Sequence, residues 1–252
     1  MDFAILGLPY DKTQTLRKGA ADAPEELRKV FPKLETFIFG IDLTEKAFFK
    51  DLGDIHAADI KAMDKAIFEK LDDAEGKFPI LLGGEHTVTA AAVKAIKPEK
   101  VVIFDAHADC ENSETHTGVT RKVAEIIGAE NVYLFGVRVA SKEEDKYLRE
   151  HKIKVLKNIE ELRRLQGKIY LSVDFDVLDP SELASVGNPE PMGHSFAEIA
   201  EAINILAPKL IAVDFVEFTP YKADISELHA LIAGKMIYGA IAALVKSREV
   251  QK

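Results

Sequence analysis

Val101-Val102-Ile103-Phe104-Asp105-Ala106-His107-Ala108-Asp109 is the stretch from which the rest of the sequence can be read. Its first part is an unbroken apolar run with no polar alternation. Strands covered on both faces have this composition, as in a parallel sheet with helices packed on either side. Its second part sets three side chains with metal- or proton-binding chemistry at alternate positions. In extended chain alternate residues point the same way, so Asp105, His107 and Asp109 face one point. Ala106 and Ala108 are small and apolar and suit packing on the opposite side.

The design recurs along the chain. Residues 3–7, 36–41, 79–82, 100–105, 131–136, 168–174 and 210–217 read as strands, and 24–30, 60–73, 87–96, 119–127, 142–151, 196–206 and 225–245 read as helices. Strand and helix in alternation imply right-handed crossovers and one α/β domain around a central parallel sheet of about seven or eight strands. A closed (β/α)₈ barrel fits the same pattern, and pattern alone leaves both architectures open. In either, chemistry collects at the carboxyl ends of the strands. Ile80-Leu81-Leu82 runs into Gly83-Gly84-Glu85-His86, residues 169–173 into Asp174-Phe175-Asp176, and residues 210–216 into Glu217. Four strand ends thus carry carboxylates or imidazoles.

Composition narrows the partners. The 252 residues hold one cysteine, Cys110, and a formal net charge of −9. A lone cysteine excludes a disulfide framework and fits a reducing cytosol. The acidic balance argues against nucleic acid and fits a cationic small molecule or metal ions. No apolar run approaches the roughly 18 residues of a membrane span. The first residues lack a basic-then-apolar leader pattern, so a cytoplasmic protein is expected. No linker or fixed-period repeat divides the chain, and a single domain over 1–252 is expected.

Four aspartates brought together repel one another unless something positive sits among them, and two divalent cations would balance them. A mixed Asp and His donor set without thiolate suits Mn²⁺, whereas closed structural zinc sites favour Cys. Paired ions ~3.5–4 Å apart share a water acidified towards hydroxide, which points to metal-assisted hydrolysis. Taken singly, each motif has a plainer reading: a capped loop, a helix cap at Asp174-Phe175-Asp176, a packing histidine at His86. Their joint occurrence at strand ends selects the metal site.

These residues resemble the ureohydrolase family of arginases, agmatinases and formimidoylglutamases, most of all agmatinase, over nearly the whole chain. Gly7-Leu8-Pro9-Tyr10-Asp11, Arg17-Lys18-Gly19-Ala20 and Pro24-Glu25-Glu26-Leu27-Arg28 are similar to the family's opening segment. Leu52-Gly53-Asp54 is similar to its short Gly-Asp motif, and Gly83-Gly84-Glu85-His86-Thr87 to its Gly-Gly-Asp-His-Ser stretch. Asp105-Ala106-His107-Ala108-Asp109 and the segment from Ser172 to Pro180 match the two signature metal motifs. The resemblance implies a three-layer α/β/α fold of about eight central strands, arginase/deacetylase-like, and two Mn²⁺ per chain. It implies His86, Asp105, His107, Asp109, Asp174 and Asp176 as ligands, with Asp109 and Asp174 as bridges. It also implies Glu217 as the partner of a substrate guanidinium, His116 as the proton shuttle to the leaving amine, and a homo-oligomer, trimer or hexamer.

Departures bear on the substrate. His116-Thr117-Gly118 stands where the family has His-Gly, the loop before it is short, and Met192-Gly193-His194 replaces Gly-Gly-Leu. Glu111 and Glu114 lie in the segment that holds the amino-acid head group in arginases; two acids there would repel a carboxylate and attract an ammonium. Agmatine, hydrolysed to putrescine and urea, is therefore expected over arginine, with an arginase or another guanidino- or formimino-hydrolase as the rival. A zinc amide hydrolase of the deacetylase type would carry a His-His pair, which this chain lacks. A non-catalytic metal-binding homologue is the remaining alternative. The aromatic residues Phe37, Phe39, Phe48 and Phe49 are expected in the core or at a subunit contact.

Overall fold

The computed structural model describes residues 1–220 and 227–250. Strand β1 (Asp2–Leu8) leads into helix α1 (Ala23–Val30). A two-residue hairpin, β2 (Phe37–Ile38) and β3 (Ile41–Asp42), and one helical turn, α2 (Leu43–Lys46), precede β4 (Phe48–Asp54) and α3 (Ile60–Asp72). Then β5 (Phe78–Gly83), α4 (Thr87–Ile96), β6 (Lys100–Phe104), α5 (Val119–Ile127), β7 (Val132–Phe135), α6 (Lys142–His151), β8 (Lys154–Leu156), α7 (Ile159–Arg163), β9 (Ile169–Asp174), α8 (Phe196–Leu206), β10 (Leu210–Val216) and α9 (Leu228–Val250) alternate.

Eight strands form one parallel sheet in the order β4-β1-β5-β10-β9-β6-β7-β8. The sheet is open, with β4 and β8 at its edges, which removes the barrel alternative. Successive strand residues feed opposite faces. Val102 and Phe104 of β6 join α1, α7, α8 and α9 on one side, while Val101 and Ile103 join α3, α4, α5 and α6 on the other. Two buried cores, one per face, make the three-layer α/β/α architecture and explain the unbroken apolar runs. Polar capping starts α6 and α8: Ser141 and Ser195 each close a capping box, with Glu144 and Glu198.

Several sequence expectations change. Segment 36–41 folds as the β2–β3 hairpin, because Phe39 and Gly40 both take positive φ, 51° and 80°, and turn the chain. The edge strands β4 and β8 carry exposed polar residues such as Lys50, Asp51 and Lys154, so they lack the two-face apolar signature. Phe37, Phe39 and Phe48 stay out of the core, at 67%, 61% and 60% exposure; Phe49 is 44% exposed and stacks on Phe3. The beginning of the last expected helix, residues 225–226, lies outside the described residues. Helix α9 is long and apolar enough to cross a membrane, a length hidden from a search for unbroken runs by Lys235 and Lys246. It is instead a core helix: 67% of its most apolar window is buried.

Connectivity positions the site. After β5 the chain passes over to β6 and leaves a gap two strands wide, later filled by β9 and β10. The four central strands therefore end side by side at a change in strand order, where open α/β sheets place their ligand sites.

Candidate metal centre

Each central strand delivers its chemistry just past its carboxyl end. His86 follows β5 and occupies the N-cap position of α4, yet its side chain makes no cap. The imidazole faces the carboxylates instead: Nδ1 lies 3.0 Å from Asp105 Oδ2, 3.2 Å from Asp174 Oδ2 and 3.6 Å from Asp109 Oδ2. His107 Nδ1 lies 2.8 Å from Asp176 Oδ2 and 3.5 Å from Asp105 Oδ1. Two donor groups result, His86–Asp105–Asp174 and Asp105–His107–Asp176, each with one ligand atom per residue within 4.8 Å of the others. Five of the six expected ligands make up these groups, and the sixth, Asp109, lies beside His86 at 3.6 Å.

Asp109 and Asp174 are the bridges the family resemblance implies. Asp105, rather than Asp109, belongs to both groups. It directly follows β6, between the two histidines, and turns one oxygen to each. Asp109 lies four residues further along, past the end of the strand, and reaches only the His86 side. Its φ of 46° is left-handed, as is the 65° of Glu217. Non-glycine residues held in this region are costly and cluster at functional sites.

The electrostatics fit cations. His86 Nδ1 and Asp105 Oδ2 are both buried and neither makes a hydrogen bond. His86 Nε2 lies 3.1 Å from Ser172 Oγ. Burial disfavours a charge on His86, but Asp105, Asp109 and Asp174 hold its pKa well above the usual value, so Nδ1 carries a proton toward the carboxylates where an ion would take its place. Left to themselves Asp109, Asp174 and Asp176 are pushed toward the protonated form by burial, while His107 and His86 hold Asp105 ionised despite its burial. Burial, then the Asp105 charge, pushes Asp109 up to about 7. Burial, with Asp176 and Asp105 nearby, pushes Asp174 well above the carboxylate range. Burial disfavours a charge on His107 as well, but Asp105 and Asp176 overcome it and hold it up to about 12. A donor set that gathers protons to cancel its own repulsion is one that divalent ions would neutralise. These residues fit a binuclear centre.

An outer layer fixes the donors. Thr89 Oγ1 sits 3.2 Å from Ser172 Oγ and donates to Asp214 Oδ2 at 2.7 Å, which also accepts from Tyr170. Asp176 Oδ1 accepts Ala106 N–H at 2.9 Å, and Asn188 Nδ2 lies 2.9 Å from His107 Nε2. Arg138 donates to the carbonyls of Asp176 and Glu190, both at 2.8 Å, and so ties the second metal loop to the loop after it. Glu85 is fully buried and accepts from Thr13 N–H at 2.7 Å and Thr13 Oγ1–H at 2.6 Å. That clamp draws the loop after β1 over the site. Gly84 permits the approach, since a Cβ there would meet Tyr10 O at 2.1 Å.

The family profile described as Arginase family matches residues 1–242. The chain belongs to the arginase family. It is 34% identical to N(1)-aminopropylagmatine ureohydrolase of Thermococcus kodakarensis, over 97% of this chain and 91% of that one. It is 34% identical to agmatinase of Bacillus anthracis, over 97% and 92%. The crystal structure of agmatine ureohydrolase of Thermoplasma volcanium superposes with a TM-score of 0.90 at 31% identity, covering 99% of this chain and 92% of that one. The protein is accordingly a metal-dependent hydrolase of the arginase family.

Around the donors lies a cavity of about 80 Å³ lined by Gln14, Thr15, Leu16, His107, Asp109, His116, Thr117, Asp174, Asp176, Gly187, Asn188 and Glu217. Glu217 is buried; Oε1 accepts His86 N–H at 2.8 Å and Oε2 accepts Gln14 Nε2–H at 2.7 Å. Burial pushes its carboxyl up to about 8. His116 Nε2 lies 3.5 Å from Thr15 Oγ1, and burial lowers its pKa. Glu111 and Glu114 do not line this arginase-family cavity. Glu114 pairs with Lys122 Nζ at 2.6 Å and Glu111 accepts from Thr117 at 2.8 Å. Of the departing loop, His194 stacks on Phe135 and Met192 is exposed. Sequence reading passed over Gln14, Thr13, Ser172 and Asn188; only the Glu85 substitution in the Gly-Gly motif hinted at the clamp.

Proposed function

We propose that this chain hydrolyses the guanidino C–N bond of a linear, amine-tailed guanidine such as agmatine, releasing urea and the amine, with manganese in both donor groups. The observation that carries the reading is that two donor groups sharing Asp105 open onto a cavity that Glu217 also lines. Manganese is favoured because the donors are carboxylates and imidazoles without thiolate. A pair of divalent ions, when bound, supplies an acidified water as nucleophile.

The chain's own residues do the rest. Glu217 orients the planar cation through charge-assisted hydrogen bonds and holds its carbon near the ions. The substrate's positive charge in turn favours the ionised carboxylate that burial disfavours. His116, kept neutral by burial, accepts a proton on one ring nitrogen and returns it to the departing amine. The names of the relatives support an amine-tailed guanidine, and that of the Thermococcus kodakarensis protein favours a second reading, an aminopropyl-extended agmatine.

The experiment is urea release after manganese loading, across agmatine, N1-aminopropylagmatine, arginine, guanidinobutyrate and guanidinopropionate. An amine-tailed guanidine should lead. No urea from any of the five contradicts the reading. Glu217→Gln should keep its metal and lose about a hundredfold in turnover; full activity would remove Glu217 from its assigned role.

A further inference from the structure

We infer that Gln14 is a specificity-determining residue that reads the third amino edge of a guanidinium: its N–H fixes Glu217 and its amide oxygen accepts a substrate N–H. The inference rests on the guanidine reading above and adds a residue to it.

Gln14 belongs to the loop between β1 and α1, lines the cavity and is only 5% exposed. Its Nε2 donates to Glu217 Oε2 at 2.7 Å, and its Oε1 is buried with no hydrogen-bond partner. With Glu217 ionised, the form a bound cation favours, the amide orientation is set, because the flipped form would turn oxygen on oxygen. The side chain has no freedom to swing away. Thr13, its neighbour, is clamped by Glu85. On the other side a Cβ at Gly187 would lie 2.5 Å from Gln14 Nε2 and 2.8 Å from Glu217 Oε2, so only glycine lets the loop after β9 close on the pair.

A buried amide oxygen is normally paired, and one left open beside a cavity calls for a donor. Of the other lining residues, Asn188 Nδ2 faces His107, Thr15 faces His116 and Thr117 donates to Glu111, while the aspartates and Glu217 offer acceptors. The donor comes from the ligand. An alkylguanidinium carries five N–H groups around a planar rim, enough to serve Glu217 with one edge and Gln14 with the next. A formamidinium group lacks one amino edge and cannot serve both equally.

Two measurements on manganese-loaded enzyme test this. In the wild type, guanidinium chloride should inhibit agmatine hydrolysis at least about tenfold more tightly than formamidinium chloride; equal inhibition would overturn the assignment without any variant. Gln14→Met preserves length and bulk but has neither donor nor acceptor for the site. It should raise KM for agmatine by about tenfold, with a smaller change in kcat, and erase the preference for guanidinium over formamidinium. Metal content should stay at the wild-type level. An unchanged KM, or loss of manganese in step with loss of activity, would overturn a specificity role. Failure of the wild type to release urea overturns the parent reading and this one with it, and is told apart because it needs no change at Gln14.

Discussion

Asp105 carries both halves of the centre. One oxygen faces His86 and the other faces His107, and both donor groups include it. Asp105→Ala should therefore lose both ions, while Asp109→Ala, touching only the His86 side, should retain about one per chain. Elemental analysis after dialysis distinguishes the two; equal metal content would refute the shared role. The six donors were legible in the sequence because they sit in short local strings at alternate positions. Their sharing was not, because it depends on which side of the strand end each imidazole approaches from. Nor were the supporting residues. Thr13 meets Glu85 across 72 residues, His86 meets Ser172 across 86, and Gln14 meets Glu217 across 203. The charges of Glu111 and Glu114 could be read, but the pull of Lys122 and Thr117 away from the cavity could not.

At the scale of elements, the turn after β5 joins three things: the loop after β1, the N-terminus of α4 and the end of β10. Glu85 N–H donates to Tyr10 O at 2.7 Å and Glu217 N–H to Gly84 O at 2.8 Å. Gly84→Ala would force its Cβ against the Tyr10 backbone, which has no rotamer to yield. It should cost at least about 2 kcal/mol of stability, lowering Tm by roughly 5 °C, and should loosen the segment that holds Gln14. A calorimetric Tm equal to wild type would show that the approach is not tight. The central elements followed from periodicity: α4, α5, α6 and α8 coincide with the expected 87–96, 119–127, 142–151 and 196–206. The edge strands β4 and β8 escaped because an edge is half solvated and carries Lys and Asp where a central strand carries Val and Ile. The hairpin at 37–42 escaped because its turn uses Phe39, a residue with no turn signature, ahead of Gly40.

For the whole molecule, the fold stores mutual repulsion at the centre of its sheet. Asp109, Asp174 and His107 all have pKa values raised in the fold. The stability from such protonated groups is fully present below their unfolded values and is lost as pH rises through the raised ones. Metal-stripped protein should therefore weaken as pH rises from about 4 to about 7, the span between the unfolded and folded values of Asp109. Divalent ions take the same donors in deprotonated form, so they bind more tightly as pH rises. The gain in Tm on adding manganese should accordingly be larger at about pH 8 than at about pH 6, and differential scanning calorimetry reads it directly; a larger gain at the lower pH would reverse the sign argued here. The central claim is that the carboxyl ends of β5, β6 and β9 build one binuclear centre around Asp105. Anomalous diffraction from crystals soaked in manganese tests it most directly. The account predicts two peaks per chain roughly 3.5–4 Å apart, one against His86 and Asp174, one against His107 and Asp176, with Asp105 touching both. A single peak, or none between those side chains, would contradict it.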